Sequence, residues 1–343
     1  MALGRASLVV SLPKPWIKMN NLQRGDMVSI MIQRDKSLVL FPSPGKTEKS
    51  LTTTLRVDPT ESVTSLERRI IACYLNGFVG IRLVSTDIFT VSQQRTIRRV
   101  ASKLYMRIFE SDSKNIYIQT LIDESKASVE TALRRMGIIS ISMCQDSLKS
   151  LETRDSKLAK LIISLDDDVD HFAFFIKRLL RSACLDPKLS NQLGIESLDC
   201  LDYYAVVQAT EHAADSATDI AKHIVMLDGR QQRLPDKLTD ILRKAVFEAI
   251  KAYEDSVKAF FSKDSVLAND VIDRSERVEE LDRRAAERLT GEMNPLVVCG
   301  TCSIRESITR IMECASDISK VTVNHAFIPS ESKTETPSLK PPR

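Results

Sequence analysis

Glu211, Asp215 and Asp219 stand four residues apart within residues 203–224. At about 100° per residue, that spacing puts all three carboxylates on one line of a helix. Val206, Ala209, Ala213, Ala217, Ile220 and Ile224 fall on the opposite face. Like charges at i,i+4 cost a helix roughly 0.2–0.5 kcal/mol per pair. No basic residue lies between them on that line, so a bound cation would compensate the strip. The spacing recurs as Glu313 and Asp317, behind the apolar stripe Ile304, Ile308, Ile311, Ala315 and Ile318. Asp166 and Asp170 show it a third time. Hard cations take oxygen ligands, and two helices giving two carboxylates each would offer four. The candidate metal ligands are therefore Asp166, Asp170, Glu211, Asp215, Asp219, Glu313 and Asp317. The ion stays open among Mg²⁺, Mn²⁺, iron and Zn²⁺. The competing reading is a solvated acidic face, partly neutralised by Lys222 three residues beyond Asp219.

The elements that must hold these acids are helices. From Ser125 onward the apolar pattern is helical almost throughout. Residues 143–170 and 252–279 align at a constant offset of 109, with identities such as Asp146/Asp255, Ser147/Ser256, Asp155/Asp264 and Ile163/Ile272. Glu211/Glu313 and Asp215/Asp317 match at an offset of 102. Such self-similarity marks a duplicated unit. Each copy reads as three long helices, roughly 126–152, 154–184 and 199–227, then 236–263, 265–290 and 302–327. Stops fall at Asp186-Pro187, Asp228-Gly229, Leu234-Pro235 and Asn294-Pro295.

The remainder of the chain sets bounds. At 343 residues it exceeds one ordinary core, so two or three domains are expected. Only 5% aromatic residues and 10 glycines favour helices packed with aliphatic side chains, and a net charge of +3 excludes a general polyanion binder. The seven cysteines read as reduced, buried small hydrophobes, and Cys299-Gly-Thr-Cys302 lacks the second pair a zinc site needs. His171, His212, His223 and His325 read as surface or packing residues. No apolar run reaches the roughly 18 residues of a membrane span, and no signal sequence opens the chain, so a cytoplasmic protein without membrane insertion is expected. The absence of a Gly-rich phosphate loop, a nucleophile elbow or an H-E-x-x-H motif argues against an enzyme.

Residues 1–45 form a β-rich, locally basic unit, with six basic residues against two acids. Strands are expected at 6–12, 27–32 and 37–41. A helical turn follows Pro13, and turns fall at 23–26 and 34–36. The run Gly4-Arg5-Ala6-Ser7-Leu8-Val9-Val10-Ser11-Leu12-Pro13-Lys14-Pro15-Trp16, followed by Arg24-Gly25-Asp26 and a hairpin, resembles the SpoVT-AbrB family. That resemblance implies an intertwined, swapped-hairpin dimeric β-barrel presenting Arg5, Lys14, Lys18 and Arg24 to DNA. About 45 residues make a marginal solitary core, which agrees with dimerisation. A basic dimerisation module without a DNA role is the alternative. After a linker at 41–45, residues 50–123 read as a small α/β domain. Its order is strand (51–57), helix (60–76), strand (78–84), helix (92–105, capped by Ser92) and two strands (106–109, 115–121).

The helical region, 125–230 and 235–328, resembles the PhoU family of phosphate-uptake regulators. The match rests on Leu165-Asp166-Asp167-Asp168-Val169-Asp170-His171-Phe172, Glu211-His-Ala-Ala-Asp215 and Glu313-Cys-Ala-Ser-Asp317. The resemblance implies two three-helix bundles whose acidic motifs hold metal ions on the surface, and contact with a phosphate-transporter ATPase or a signalling partner. The combination resembles an archaeal group of such regulators, acting as a homodimer or higher even oligomer. It implies a DNA-binding regulator that senses or relays phosphate status. An adaptor that docks on the transporter ATPase without binding DNA is the alternative. The second copy departs from the pattern: Asp166 aligns with Ser275 and Asp219 with Val321, leaving Glu276, Glu279 and Glu280 as substitutes. Residues 329–343, rich in Pro, Ser, Lys and Thr, are expected to be a disordered tail.

Overall fold

The structure is a computed structural model that describes residues 10–32, 37–42, 51–289 and 293–327. It divides into two compact units, residues 1–50 and 51–343.

In the first unit, α1 (Lys14–Met19) begins after Pro13 and carries Pro15 in its first turn, where a missing N–H costs nothing. Asn20 ends it by donating its side-chain amide to the Trp16 carbonyl at 2.9 Å. The expected turn at 23–26 is present. The Gln23 N–H donates to Asp26 Oδ2 at 2.6 Å, and Gly25 adopts φ +99°, where other residues are strained. β1 (Val28–Ile32) and β2 (Leu38–Pro42) pair antiparallel with Ile30 opposite Leu40. Residues 10–13 take no regular structure, so that part of the expected 6–12 strand does not form. Arg5, the rest of that strand, the 34–36 turn and the 329–343 tail lie outside the described residues.

The second unit opens with a four-stranded sheet of order β3-β4-β6-β5, built from β3 (Thr52–Val57), β4 (Gly80–Ser85), β5 (Met106–Ser111) and β6 (Asn115–Thr120). β3 and β4 run parallel, joined by α2 (Val63–Leu75), and the other pairs are antiparallel. α3 (Val91–Lys103) connects β4 to β5. Its cap is Thr90 rather than Ser92. The Thr90 hydroxyl accepts from the Gln93 N–H at 3.2 Å, and the Gln93 side chain accepts from the Thr90 N–H at 3.1 Å. This reciprocal box satisfies two orphan donors where Ser92 would satisfy one. Ile81, Leu83, Ile116 and Ile118 point from one sheet face onto Leu66, Ile70 and Ile97 of the two helices.

The helical region follows: α4 (Val129–Thr153), α5 (Ser156–Leu185), α6 (Pro187–Leu193) and α7 (Ser197–Gly229), then α8 (Asp236–Ser262), α9 (Ser265–Asp273), α10 (Ser275–Ala286) and α11 (Pro295–Ala326). The duplication is visible in the corners. Arg154 and Lys263 both adopt φ +56° after α4 and α8. Asp155 and Asp264 then cap α5 and α9, each accepting two backbone N–H groups through Oδ1. The copies differ in three ways from the sequence expectation. The single helix expected at 265–290 is two, interrupted at Arg274, whose guanidinium binds Asp255 at 2.7 Å and also Asp270. α11 starts at Pro295, seven residues earlier than expected, because Asn294 caps it. Asp186-Pro187 starts the short α6 rather than only ending α5.

Both copies share one apolar core, with α7 packed along α4, α5 and α11. The fully buried Tyr253 of α8 donates its hydroxyl to Ser140 Oγ of α4 at 3.0 Å, and Ser140 donates to the Thr210 carbonyl of α7 at 3.1 Å. The sheet domain is fastened to α5 by Arg178, which is 2% exposed. Its guanidinium donates to the carbonyls of Tyr74, Gly77 and Phe78, the last two at 3.1 and 2.9 Å, and to Glu124 at 2.6 Å. These carbonyls close the C-terminal end of α2, where a cation also meets the negative end of the helix dipole. Gly77 makes the corner possible at φ +85°.

Candidate functional site

The acids of α7 stand outward, as their spacing requires, and α5 brings Asp166 and Asp170 alongside them. Thr218 of α7 donates to Asp166 Oδ1 at 3.2 Å, pinning the two lines together. The result is a ladder of five carboxylates from two helices, with Asp215 at its centre. Partial burial, followed by the charges of Asp166, Glu211, Asp170 and Asp219, lifts the Asp215 carboxyl from 3.8 to about 6. Burial and the Asp170 charge raise Asp166 as well.

Three of the five acids already face an ammonium group. Lys103, in the last turn of α3, binds Asp170 and reaches Asp167 at 3.7 Å. Lys177 of α5 binds Glu211, and Lys222 binds Asp219 at 2.9 Å. The sequence reading anticipated Lys222 but not Lys103 or Lys177. Lys103 lies 67 positions before Asp170, and no local pattern connects them. Among the described residues, no three His, Cys, Asp or Glu side chains converge as a ready metal site. In charge and chemistry the donor set suits a hard cation, since it is all oxygen and self-repelling at its centre. A cation bound by Asp170, Glu211 or Asp219 would have to displace the ammonium group that each already holds.

The second copy differs. Glu313 and Asp317 are exposed on α11, and Asp317 binds Lys320 at 3.1 Å. They line a cleft of about 350 Å³ with Glu279 of α10, one of the substitutes the sequence offered for the missing acid. α9 ends and α10 begins at Arg274-Ser275, the position that aligns with Leu165-Asp166, so the copy loses its acid and its helical continuity together.

The other candidates fall where packing puts them. His171 lies against the Tyr105 ring, with centroids 5.5 Å apart. His325 binds Asp202 at 3.2 Å, and His223 contacts the carbonyl of Asp219 on its own helix. Cys144, Cys200 and Cys314 are buried as expected, but Cys184, Cys299 and Cys302 are exposed and Cys73 is half-buried. Their helix faces turn outward, which the composition alone could not reveal. Lys14 and Lys18 sit one turn apart on α1 and, with Arg24, are exposed. No helix of the described residues is long and apolar enough to cross a membrane.

A sheet domain with helices on one face is thus continuous with a duplicated helical bundle bearing outward acidic lines. Residues 133–224 match the family model described as the PhoU domain, and residues 2–48 match that of the antidote-toxin recognition protein MazE, a bacterial antitoxin. The chain thus carries a PhoU domain behind a MazE/AbrB-like N-terminal domain. Among solved structures it is similar to the phosphate transport system regulatory protein PhoU from Streptococcus pneumoniae. That comparison has 15% identity and a TM-score of 0.50, covering 57% of this chain and 91% of that one. It is also similar to PhoU from Pseudomonas aeruginosa, with 19% identity and a TM-score of 0.47, covering 57% and 93%. At 15% identity the likeness to the Streptococcus pneumoniae protein speaks for the fold alone. No curated protein sequence matches the chain.

Proposed function

We propose that this chain is a phosphate-uptake regulator, not an enzyme, in which a dimeric N-terminal unit binds DNA and the PhoU bundles bind metal and relay phosphate status. The observation that carries the reading is the ladder itself: five carboxylates from α5 and α7 gathered on the outer side of a PhoU fold, in a chain whose first 50 residues form a separate basic unit. Exposed apolar side chains on that unit support dimerisation. Ile30, Ile32 and Leu38 are each more than half exposed on β1 and β2, and a second copy would cover them. Lys14, Lys18 and Arg24, with Arg5, are the proposed phosphate contacts. Asp166, Asp170, Glu211, Asp215 and Asp219 are the proposed metal ligands of the first bundle, and Glu313 and Asp317 with Glu279 those of the second. A transporter ATPase or signalling protein is the proposed downstream partner.

The DNA half is tested by titrating the full chain against duplex at several salt concentrations. A dimer using four basic residues per chain gives a slope of log K against log salt of about −7. No binding at low salt would remove the DNA role and leave the chain as an adaptor on the transporter ATPase.

A further inference from the structure

One face of the β3-β4-β6-β5 sheet is covered by α2 and α3. Among the described residues the other is open, and by the register its side chains include Thr52, Thr54 and Arg56 on β3, Arg82 and Val84 on β4, Asn115, Tyr117 and Gln119 on β6, and Arg107, Phe109 and Glu110 on β5. Two aromatic rings therefore stand on adjacent strands of a surface where solvated sheets usually carry polar residues. The Tyr117 ring reaches across β4. A Cβ at Gly80 would lie 2.3 Å from the Tyr117 hydroxyl and 3.0 Å from the ring, so glycine there lets the ring lie down on the sheet. A β-bulge between Ile108 and Glu110 adds Phe109 to the outward set, 54% exposed, its ring centroid 6.4 Å from that of Tyr117. The Arg82 guanidinium sits 4.9 Å from the Tyr117 centroid and holds Glu110 at 2.8 Å. Arg56 and Arg107 are exposed and have no carboxylate partner among the described residues.

We propose that this open sheet face binds a single-stranded nucleic acid, with Phe109 and Tyr117 as stacking platforms for bases and Arg56 and Arg107 holding phosphates. Charge complementarity selects an anionic occupant, because Arg82 already holds Glu110 and the guanidinium groups of Arg56 and Arg107 are left without a carboxylate among the described residues. A second copy of the chain would set those guanidinium groups against their own kind. An acidic peptide would meet the arginines but leave the flat rings unused. Unpaired bases present π faces to such rings, and a four-stranded sheet bearing aromatic and arginine side chains matches a strand of splayed bases. Neighbouring strands lie about 4.8 Å apart, and the register sets Arg56 on β3 level with Asn115 but Arg107 on β5 level with Gln119, four residues along, so the two are separated by about 20 Å, room for more than one nucleotide. A duplex has no comparable fit, because its major groove takes a helix or a two-stranded ribbon rather than the flat of a sheet.

The test uses the full chain and a fluorescently labelled single strand of about 12 mixed nucleotides, within the roughly 4–16 that such platforms occupy. Anisotropy titrations should show binding of the single strand. Phe109→Ala should weaken it by about 5- to 100-fold, the range for losing one stacked base, and Phe109→Trp should retain it. Arg107→Ala should shallow the salt slope by about 0.7, one phosphate's share for a single strand. Duplex binding by the N-terminal unit should be the same in all variants, since none touches it. Loss of duplex binding with single-strand binding intact would bear on that unit alone and leave the sheet assignment supported. No single-strand binding by the native chain, or equal binding by native, Phe109→Ala and Arg107→Ala proteins, would overturn the proposal. So would a change of oligomeric state in Phe109→Ala without a change in single-strand affinity.

Discussion

Lys103 on α3 donates a charged hydrogen bond to the Asp170 carboxylate on α5. The sheet domain thereby places its own cation in the acidic ladder of the helical bundle. Burial works against the ammonium, but the hydrogen bond and charge of Asp170, aided by Asp167, raise the Lys103 pKa above its ordinary value. Under the proposed metal role, the internal ammonium and an external metal ion would compete for Asp170.

Lys103→Met should therefore act in two directions. It leaves Asp170 without its partner in a half-buried setting and should cost about 1–2 kcal/mol of stability, between the values for surface and buried pairs. It should also strengthen divalent-cation binding at the ladder. Urea unfolding and calorimetric titration of Mn²⁺ read the two effects. Weaker Mn²⁺ binding in the variant would contradict competition.

Asp215 gives a pH signature. Its carboxyl, pushed up to about 6 in the fold, lies above the ordinary aspartate value of 3.8. Between roughly pH 4 and pH 6 the folded state holds a proton that the unfolded chain has lost, so stability falls as pH rises through that window. Asp215→Asn removes the effect, and the variant should gain on the native protein from about pH 4 to above pH 6. Asp215 is exposed at one edge, so solvent screening reduces the expected gain to about 1 kcal/mol. Chelator-treated samples unfolded in urea at both pH values test this, and parallel curves for the two proteins would refute it.

Arg178 should matter more than any surface ion pair. Its removal as Arg178→Met strands Glu124 and the carbonyls at the end of α2, at a cost of about 3–5 kcal/mol. Arg178→Lys should recover only part of this, because an ammonium cannot fork across several acceptors. Urea unfolding gives the size. Protease sensitivity of 51–123 ahead of the helical bundle shows whether the loss is the fastening of the sheet domain to α5. Equal stability of all three proteins would show that the fork contributes nothing.

Much of this architecture is legible in the residue pattern. Apolar periodicity marks every long helix, and the offset of 109 pairs Asp155 with Asp264, which cap α5 and α9 in the same way. The outward position of Asp215 and Asp317 follows from i,i+4 spacing alone and is what the structure shows. What the pattern could not supply depends on contacts between distant segments. The break at Arg274 accompanies its bonds to Asp255 and Asp270, and nothing in its immediate sequence stops a helix. Lys103 and Lys177 reach Asp170 and Glu211 only once α3, α5 and α7 have packed. The flat Tyr117 ring depends on a glycine 37 positions earlier that becomes its neighbour through strand pairing. Ser92 was a fair cap by residue type, but Thr90 wins because Gln93 lies three residues beyond it.

The most direct measurement is the metal content of the purified full-length chain, by elemental analysis, beside Glu211→Ala/Asp215→Ala. Both substitutions lie on the outer face of α7, so circular dichroism should show the same helix content in each protein. Bound divalent or transition metal is expected in the native chain, with a clear loss in the double variant. Equal metal content in both, or none in the native chain after saturation with Mn²⁺, Fe²⁺ or Zn²⁺, would contradict it.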